Sequence, residues 1–302
     1  MTDGLIVVPL DGSELSEAAL PYAVALAKAT QGGLLLVTVW EGAEELLAKT
    51  LPELADDLFK RGEEHYEQYL AGVAKTVEAE RVKVEAQVIV GHPVDEILRL
   101  LEERSASLLA LSTHGRSGLG RWVYGSVASK LIREAPVPTL LVGPRLLEAK
   151  AAPAITRILV PLDVSELSET ALAPAVELAE AFDAGLVLAQ VLNWATQAFI
   201  FGVPNIDVAR VDRELAEASE QYLRRVKAAL QTKRPVETRV LRGPTADALT
   251  DLVDAEKIGL VVMASHGRAG IVRAALGSVA DRMIQGRAPV LLIRPGTPST
   301  GG

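Results

Sequence analysis

The feature that most constrains this chain is an internal duplication. Val8-Pro9-Leu10-Asp11 returns as Val160-Pro161-Leu162-Asp163, and Ser13-Glu14-Leu15-Ser16-Glu17 returns as Ser165-Glu166-Leu167-Ser168-Glu169. The same offset of 152 positions, 8 to 160, carries Gly91 to Gly243, Gly115 to Gly267, and Gly125-Ser126 to Gly277-Ser278. One position drops out near the end, where Pro138 answers to Pro289. Solenoid repeats are much shorter, so a period this long is a duplicated domain. The expected domains are 1–143 and 154–302, joined by a linker from Gly143 to Pro153 that carries a proline near each end and no strand alternation.

Within the first half, short apolar runs alternate with helical spacing. Gly4 to Leu10 reads as a strand buried on both faces, Asp11-Gly12-Ser13 as a turn, and Leu15, Ala18, Ala19, Tyr22, Ala23 and Leu26 as one helix face that Gly32-Gly33 ends. Leu34 to Trp40 is a second strand. Glu44 to Glu78 is helix-forming, with Pro52 and Gly62 as expected interruptions. Val82 to Val90 is a third strand, Val94, Ile97, Leu98 and Leu101 mark the next helix, and Leu108 to Leu111 is a fourth strand. A helix from Gly125 to Glu134 and a strand from Pro138 to Val142 complete the half.

Five strands alternating with helices predict an α/β fold: two flavodoxin-like, Rossmann-like domains, each a five-stranded parallel sheet with helices on both faces. In such sheets a ligand binds beyond the carboxyl ends of the strands, where the strand order reverses. Asp11, Trp40, Gly91 and Ser112 fall at strand ends and are expected on one rim.

Composition narrows the function. With 49% hydrophobic and 23% charged residues and a net charge of −8, the chain has ample material for two cores and no global basic field for a nucleic-acid backbone. It contains no cysteine, so disulfides, thiolate chemistry and cysteine metal sites are excluded. Apolar runs fall short of the ~18–20 residues that a membrane span needs, and the N-terminal residues lack a signal-peptide character, which together predict a cytoplasmic protein with no membrane partner.

The chemistry concentrates in a glycine loop. Ser112-Thr113-His114-Gly115-Arg116-Ser117-Gly118 runs on to Gly125-Ser126-Val127, and Ala264-Ser265-His266-Gly267-Arg268-Ala269-Gly270 to Gly277-Ser278-Val279, with nine residues between the His-Gly glycine and the Gly-Ser pair in both. A glycine loop opening onto a helix start is an anion cradle, since backbone N–H groups and the helix dipole point the same way. The chain has no Gly-Lys pair and therefore no Walker A loop. His114 and His266 have no second acid, base or nucleophile placed beside them and read as structural, and Trp40, Trp122 and Trp194 as packing residues.

The Val-Pro-Leu-Asp strand end, the Gly-His-Pro turn at Gly91-His92-Pro93 and the loop spaced G-x2-G-x9-G-(S/T) together resemble the universal stress protein family, specifically its ATP-binding branch, and do so in both halves. The resemblance implies a tandem protein with up to two adenine-nucleotide sites. Gly115, Gly125, Ser126 and Val127, and Gly267, Gly277, Ser278 and Val279, would meet phosphates, with Arg116 and Arg268 adding charge-assisted contacts. Pro9, Asp11, Gly91 and Ser112 in one half, and Pro161, Asp163, Gly243 and Ala264 in the other, belong to the same expected site, with main-chain groups near Val39 and Val191 facing adenine. A carboxylate beside a polyanion repels it unless it accepts a hydroxyl or holds a cation, so Asp11 and Asp163 suit ribose or a phosphate-bound Mg²⁺. The bland alternative is that Asp11 caps the following helix, worth ~1 kcal/mol.

Two departures qualify this expectation. The family's first loop glycine is Ser112 here and Ala264 in the second half, which would weaken binding if that position needs positive φ or very close approach of the nucleotide. Gly12 is replaced by Val164, which calls for ordinary backbone there. Gly91-His92-Pro93 becomes Gly243-Pro244-Thr245, and Gly120 becomes Val272, so the first half is expected to be the better site. The segment from Glu41 to Lys60 is acidic, whereas that from Asn193 to Asp207 is apolar and aromatic, with packing as the default role. The resemblance also implies pairing of the domains through Pro138 to Val142 and Pro289 to Ile293, with a homodimer of chains compatible with it. The leading expectation is a regulatory nucleotide-binding protein; a weak ATPase or phosphotransferase on the same sites, and a scaffold without nucleotide, are the alternatives.

Overall fold

The computed structural model describes residues 4–41, 52–113, 124–146, 155–193, 207–265 and 276–294. His114, Gly115, Arg116, Trp122, Trp194, His266, Gly267, Arg268 and most of the two dissimilar segments after the second strands lie outside them. The chain divides into two compact units, Met1–Ala152 and Pro153–Gly302.

In the first unit, β1 (Leu5–Pro9) leads through α1 (Glu14–Glu17) and α2 (Leu20–Thr30) to β2 (Gly33–Trp40), and α3 (Pro52–Ala79) leads to β3 (Lys83–Val90). Then follow α4 (Pro93–Glu103), β4 (Leu108–Ser112), α5 (Ser126–Glu134) and β5 (Thr139–Val142). All pairings are parallel, in the order β3-β2-β1-β4-β5. The second unit repeats the plan with β6 (Arg157–Pro161), α6 (Glu166–Glu169), α7 (Leu172–Phe182), β7 (Gly185–Leu192), α8 (Val208–Ala229), β8 (Val236–Arg242), α9 (Thr245–Ala255), β9 (Leu260–Ala264), α10 (Ser278–Ile284) and β10 (Val290–Ile293). Its order is β8-β7-β6-β9-β10, again parallel. The parallel α/β architecture expected from the alternation is thus observed in both halves.

The central strands are buried because helices cover both faces. Ile6, Val7 and Val8 of β1 and every residue of β4 and β5 are buried, as are their counterparts in β6, β9 and β10. Each large aliphatic side chain so placed contributes roughly 1.5–3 kcal/mol of hydrophobic stabilisation. The edge strand β3 instead keeps Lys83, Glu85 and Gln87 toward solvent, polar residues that discourage pairing with another sheet.

Two helix expectations change. The helix expected from Glu14 to Gly32 breaks at Ala18-Ala19, because Pro21 is the second residue of α2 and a proline conflicts with the carbonyl four residues before it. In the second unit the break falls at Thr170-Ala171, ahead of Pro174. Conversely, α3 runs unbroken through Gly62 for 28 residues, with Pro52 at its start, where a missing N–H costs nothing.

Gly62 is explained by a close approach. Trp40 packs against α3, its ring 5.3 Å from Phe59 and 6.4 Å from Tyr66, and a Cβ at Gly62 would lie 2.6 Å from the indole. The packing role expected of Trp40 is therefore what its contacts display. In helix propensity alone, Gly62→Ala would gain ~1 kcal/mol. Overpacking against the indole costs about 1–3 kcal/mol, so urea unfolding should show the variant to be less stable than the parent; an increase in stability would contradict the close packing.

Candidate functional site

Each unit carries a cavity where its strand order reverses, between β1 and β4 in one and β6 and β9 in the other. The first encloses about 260 Å³ and the second about 370 Å³. Its walls come from the first strand's end and the turn that follows (Pro9, Leu10, Asp11; Pro161, Leu162, Asp163), from the second strand (Val37, Val39; Ala189, Val191) and from the fourth strand's end (Ser112, Thr113; Ala264, Ser265). The remaining wall is the last helix start, Gly125-Ser126-Val127 or Gly277-Ser278-Val279.

The turn holding the aspartate is built by local hydrogen bonds. Asp11 Oδ1 accepts from Ser13 N at 3.0 Å and from Ser13 Oγ at 2.5 Å, while Ser13 Oγ accepts from Ser16 N at 3.2 Å. Ser16 Oγ lies within reach of two groups, receiving Asp11 N at 3.3 Å and donating to the Ser13 carbonyl at 2.8 Å. The second unit repeats the set: Asp163 Oδ1 accepts from Ser165 N at 3.1 Å and from Ser165 Oγ, and Ser168 occupies the place of Ser16. The helix cap is therefore Ser13 or Ser165. Asp11 does not cap α1; it orients the serine that does, an Asx turn placing the carboxylate on the cavity wall.

A tyrosine braces this turn from the long helix. Tyr69 Oη donates to Glu17 Oε1 at 2.9 Å, and Tyr222 Oη to Glu169 Oε1 at the same distance. Burial, then the hydrogen bond to the carboxylate, raises the pKa of both phenols well above the ordinary value, so each stays a donor.

Val164 corrects an expectation. Its φ is +69°, matching the +82° of Gly12, although a β-branched residue is poorly suited to that region. The bonds of Asp163 and Ser165 on either side hold the turn, and the Val164 side chain stands 41% exposed with room to avoid its neighbours. The left-handed form costs roughly 1–2 kcal/mol for an L residue.

The backbone at the position of the first loop glycine needs no glycine. Ser112 and Ala264 are the last residues of β4 and β9, paired with Val142 and Ile293, and neither has positive φ. A side chain is at home in an extended strand.

The last helix start presents N–H groups to the cavity. Gly125 precedes α5 with φ −55° and ψ 152° and provides no side-chain cap. Its own N–H donates to the Thr113 carbonyl at 3.2 Å, so the expected phosphate contact through that N–H is already committed within the protein. Ser126 and Val127, which follow in the first turn, are where unpaired helix N–H groups occur. Among the described residues, a Cβ built at Gly125 meets nothing within 4 Å, and at Gly277 only the Ser265 carbonyl at 3.7 Å. None of the described residues demands glycine there.

Gly91 and Gly243 sit apart from the cavity walls. Their N–H groups donate to Trp40 O at 3.0 Å and Leu192 O at 3.1 Å, closing the edge-strand turn, and Pro93 and Thr245 line the cavity instead. Trp40 likewise turns toward α3. Val39 and Val191 lie two residues beyond the last register pairs, Pro9–Val37 and Pro161–Ala189, and reach the cavity. Ser16, Thr113, Ile97 and their counterparts Ser168, Ser265 and Leu249 were not singled out from sequence, although their shared offset carried the signal. Among the described residues no three His, Asp or Glu side chains converge as a metal-binding group. Among the described residues, each cavity is lined by one carboxylate, Asp11 or Asp163.

Relieving the strain at Val164 offers a direct check. Val164→Gly should stabilise the protein by roughly 0.5–1 kcal/mol, the strain released less the extra chain entropy of glycine. Chemical denaturation should show this gain, and a loss would contradict the left-handed turn.

Comparisons with known proteins agree with this architecture. Over 312 residues the chain is 28% identical to universal stress protein Mb2019 of Mycobacterium bovis, covering 96% of this chain and 94% of that one. It is 33% identical over 147 residues to universal stress protein MJ0531 of Methanocaldococcus jannaschii, covering 45% of this chain and 80% of the relative. The crystal structure of a universal stress protein from Archaeoglobus fulgidus superimposes with a TM-score of 0.70 at 20% identity, covering 98% of this chain and all of that one. No helix among the described residues is long and apolar enough to cross a membrane. The profile described as the universal stress protein family matches residues 5–143 and again 154–294, and the chain belongs to that family as a tandem member.

Proposed function

We propose that this protein binds an adenine nucleotide in each of its two cavities and acts as a regulatory component of a stress response. The observation that carries the reading is the repeated constellation at the strand-order switch: an aspartate held by an Asx turn and a Gly-Ser-Val helix start on one cavity wall, with open space where a glycine Cβ would stand. Ser126, Val127, Ser278 and Val279 would meet phosphates; Asp11 and Asp163 would accept a ribose hydroxyl or hold Mg²⁺ on the phosphates. The ring would lie toward Val39 and Val191, whose strand edge extends past the pairing with β1 and β6. Gly115, Arg116, Gly267 and Arg268, outside the described residues, remain part of the proposed phosphate site.

The hydroxyls beside the aspartates are tied into the turn, Ser13 to Asp11 and Ser16 to the Ser13 carbonyl with Ser165 and Ser168 alike, which supports binding over turnover. A protein of this kind would work inside the cell, where ATP is present.

Isothermal titration with MgATP tests the reading. Two molecules should bind per chain; Gly125→Val should reduce this to one, Gly277→Val likewise, and the double variant to none. The backbone angles at both glycines suit valine, so circular dichroism should show folded variants. Absence of ATP binding by the parent chain would overturn the proposal.

A further inference from the structure

Apart from Leu131, which lines only the first, the two cavities are lined by corresponding residues, but their walls differ in bulk. Val37 becomes Ala189, Ser112 becomes Ala264 and Thr113 becomes Ser265, removing two carbons, one oxygen and one carbon from the second wall. The other exchanges on the lining, Leu111 to Met263, Ile97 to Leu249 and Pro93 to Thr245, keep the number of side-chain heavy atoms. The enclosed volume follows, 370 Å³ against 260 Å³.

The extra space has a direction. Side chains at i and i+2 of a strand share a face, so Ala189 adjoins Val191 just as Val37 adjoins Val39. Both pairs line their cavities. The aspartate and the last helix start keep the same residues, while Ser112 to Ala264 and Thr113 to Ser265 each remove one atom at the fourth strand's end. Ala189 is 1% exposed and its carbonyl accepts from Leu162 N at 2.8 Å, as that of Val37 does from Leu10 N, so the backbone beneath is the same and only the side chain is shorter.

We propose that the second cavity is selective for larger ligands than the first, accepting adenine nucleotides that carry a bulky ring substituent, and that Val37 against Ala189 is the residue pair that sets this difference. The inference rests on the nucleotide reading above. A hydrophobic pocket discriminates by the room it leaves, about 10-fold or more for a methylene-sized change. The aspartate and the Gly-Ser-Val helix start are shared, so both cavities keep a common anchor while the Val–Ala exchange separates the ring end.

The experiment uses the full chain with one cavity closed at a time: Gly125→Val reports the second cavity, Gly277→Val the first. Each is titrated with ATP, N6-benzyl-ATP and 8-benzylamino-ATP. At least one analogue should bind in the Gly125→Val chain and be at least about 10-fold weaker, relative to ATP, in the Gly277→Val chain. Adding Ala189→Val to the former should raise the ratio of ATP to analogue affinity about 10-fold, and adding Val37→Ala to the latter should lower it. Equal ratios in the two cavities, exclusion of both analogues from the second, or a ratio that ignores the Val–Ala exchange would each overturn the inference while leaving ATP binding intact. Failure of ATP itself to bind would instead remove the nucleotide reading, and this inference with it.

Discussion

Everything at the cavity depends on how β1 and β6 are paired. Each is flanked by parallel partners on both sides, β2 and β4 for β1, β7 and β9 for β6. Parallel pairing requires a crossover for every strand, and helices on both faces follow from that requirement. The crossovers run in one direction along the sheet from β1 to β3 and in the other from β4 to β5, so the connections leaving β1 and β4 diverge. The gap between them is a cavity that needs no special residue to open it. What the residues decide is the chemistry of its walls.

The aspartate turn illustrates how that chemistry is positioned. An Asp and two serines, spaced two and five residues apart, satisfy one another and the first turn of a short helix. A carboxylate with so many local bonds is fixed before any ligand arrives, which lowers the ordering cost of binding. The turn is firm enough to keep Val164 in a left-handed conformation that Gly12 adopts without strain. Substituting one residue of a duplicated motif therefore left the geometry in place and changed its energetic cost.

The same economy governs the difference between the units. The duplicated backbone is retained down to individual hydrogen bonds, Leu10 to Val37 and Leu162 to Ala189 among them, and divergence lies in side chains on the apolar walls. Buried interiors are packed closely enough that removing a few atoms alters the enclosed space. Two cavities of like walls and unequal room are the outcome.

The sequence by itself determined the duplication, the parallel α/β class and the place of Asp11, Ser126 and their repeats at strand and helix ends. Those features are periodic or tied to turn chemistry, and local physics suffices for them. Gly62 and Gly125 were decided only by tertiary structure. Gly62 stays inside a continuous helix because Trp40, distant in sequence, lies against it. The N–H of Gly125 is committed because β4 ends opposite it at Thr113. Gly91 left the expected site because the edge-strand turn claims its N–H, and Ser16, Thr113 and Ile97 joined the cavity because strand order brought three distant segments together. Spacing along the chain specifies which residues share an element; the packing of elements specifies what they face.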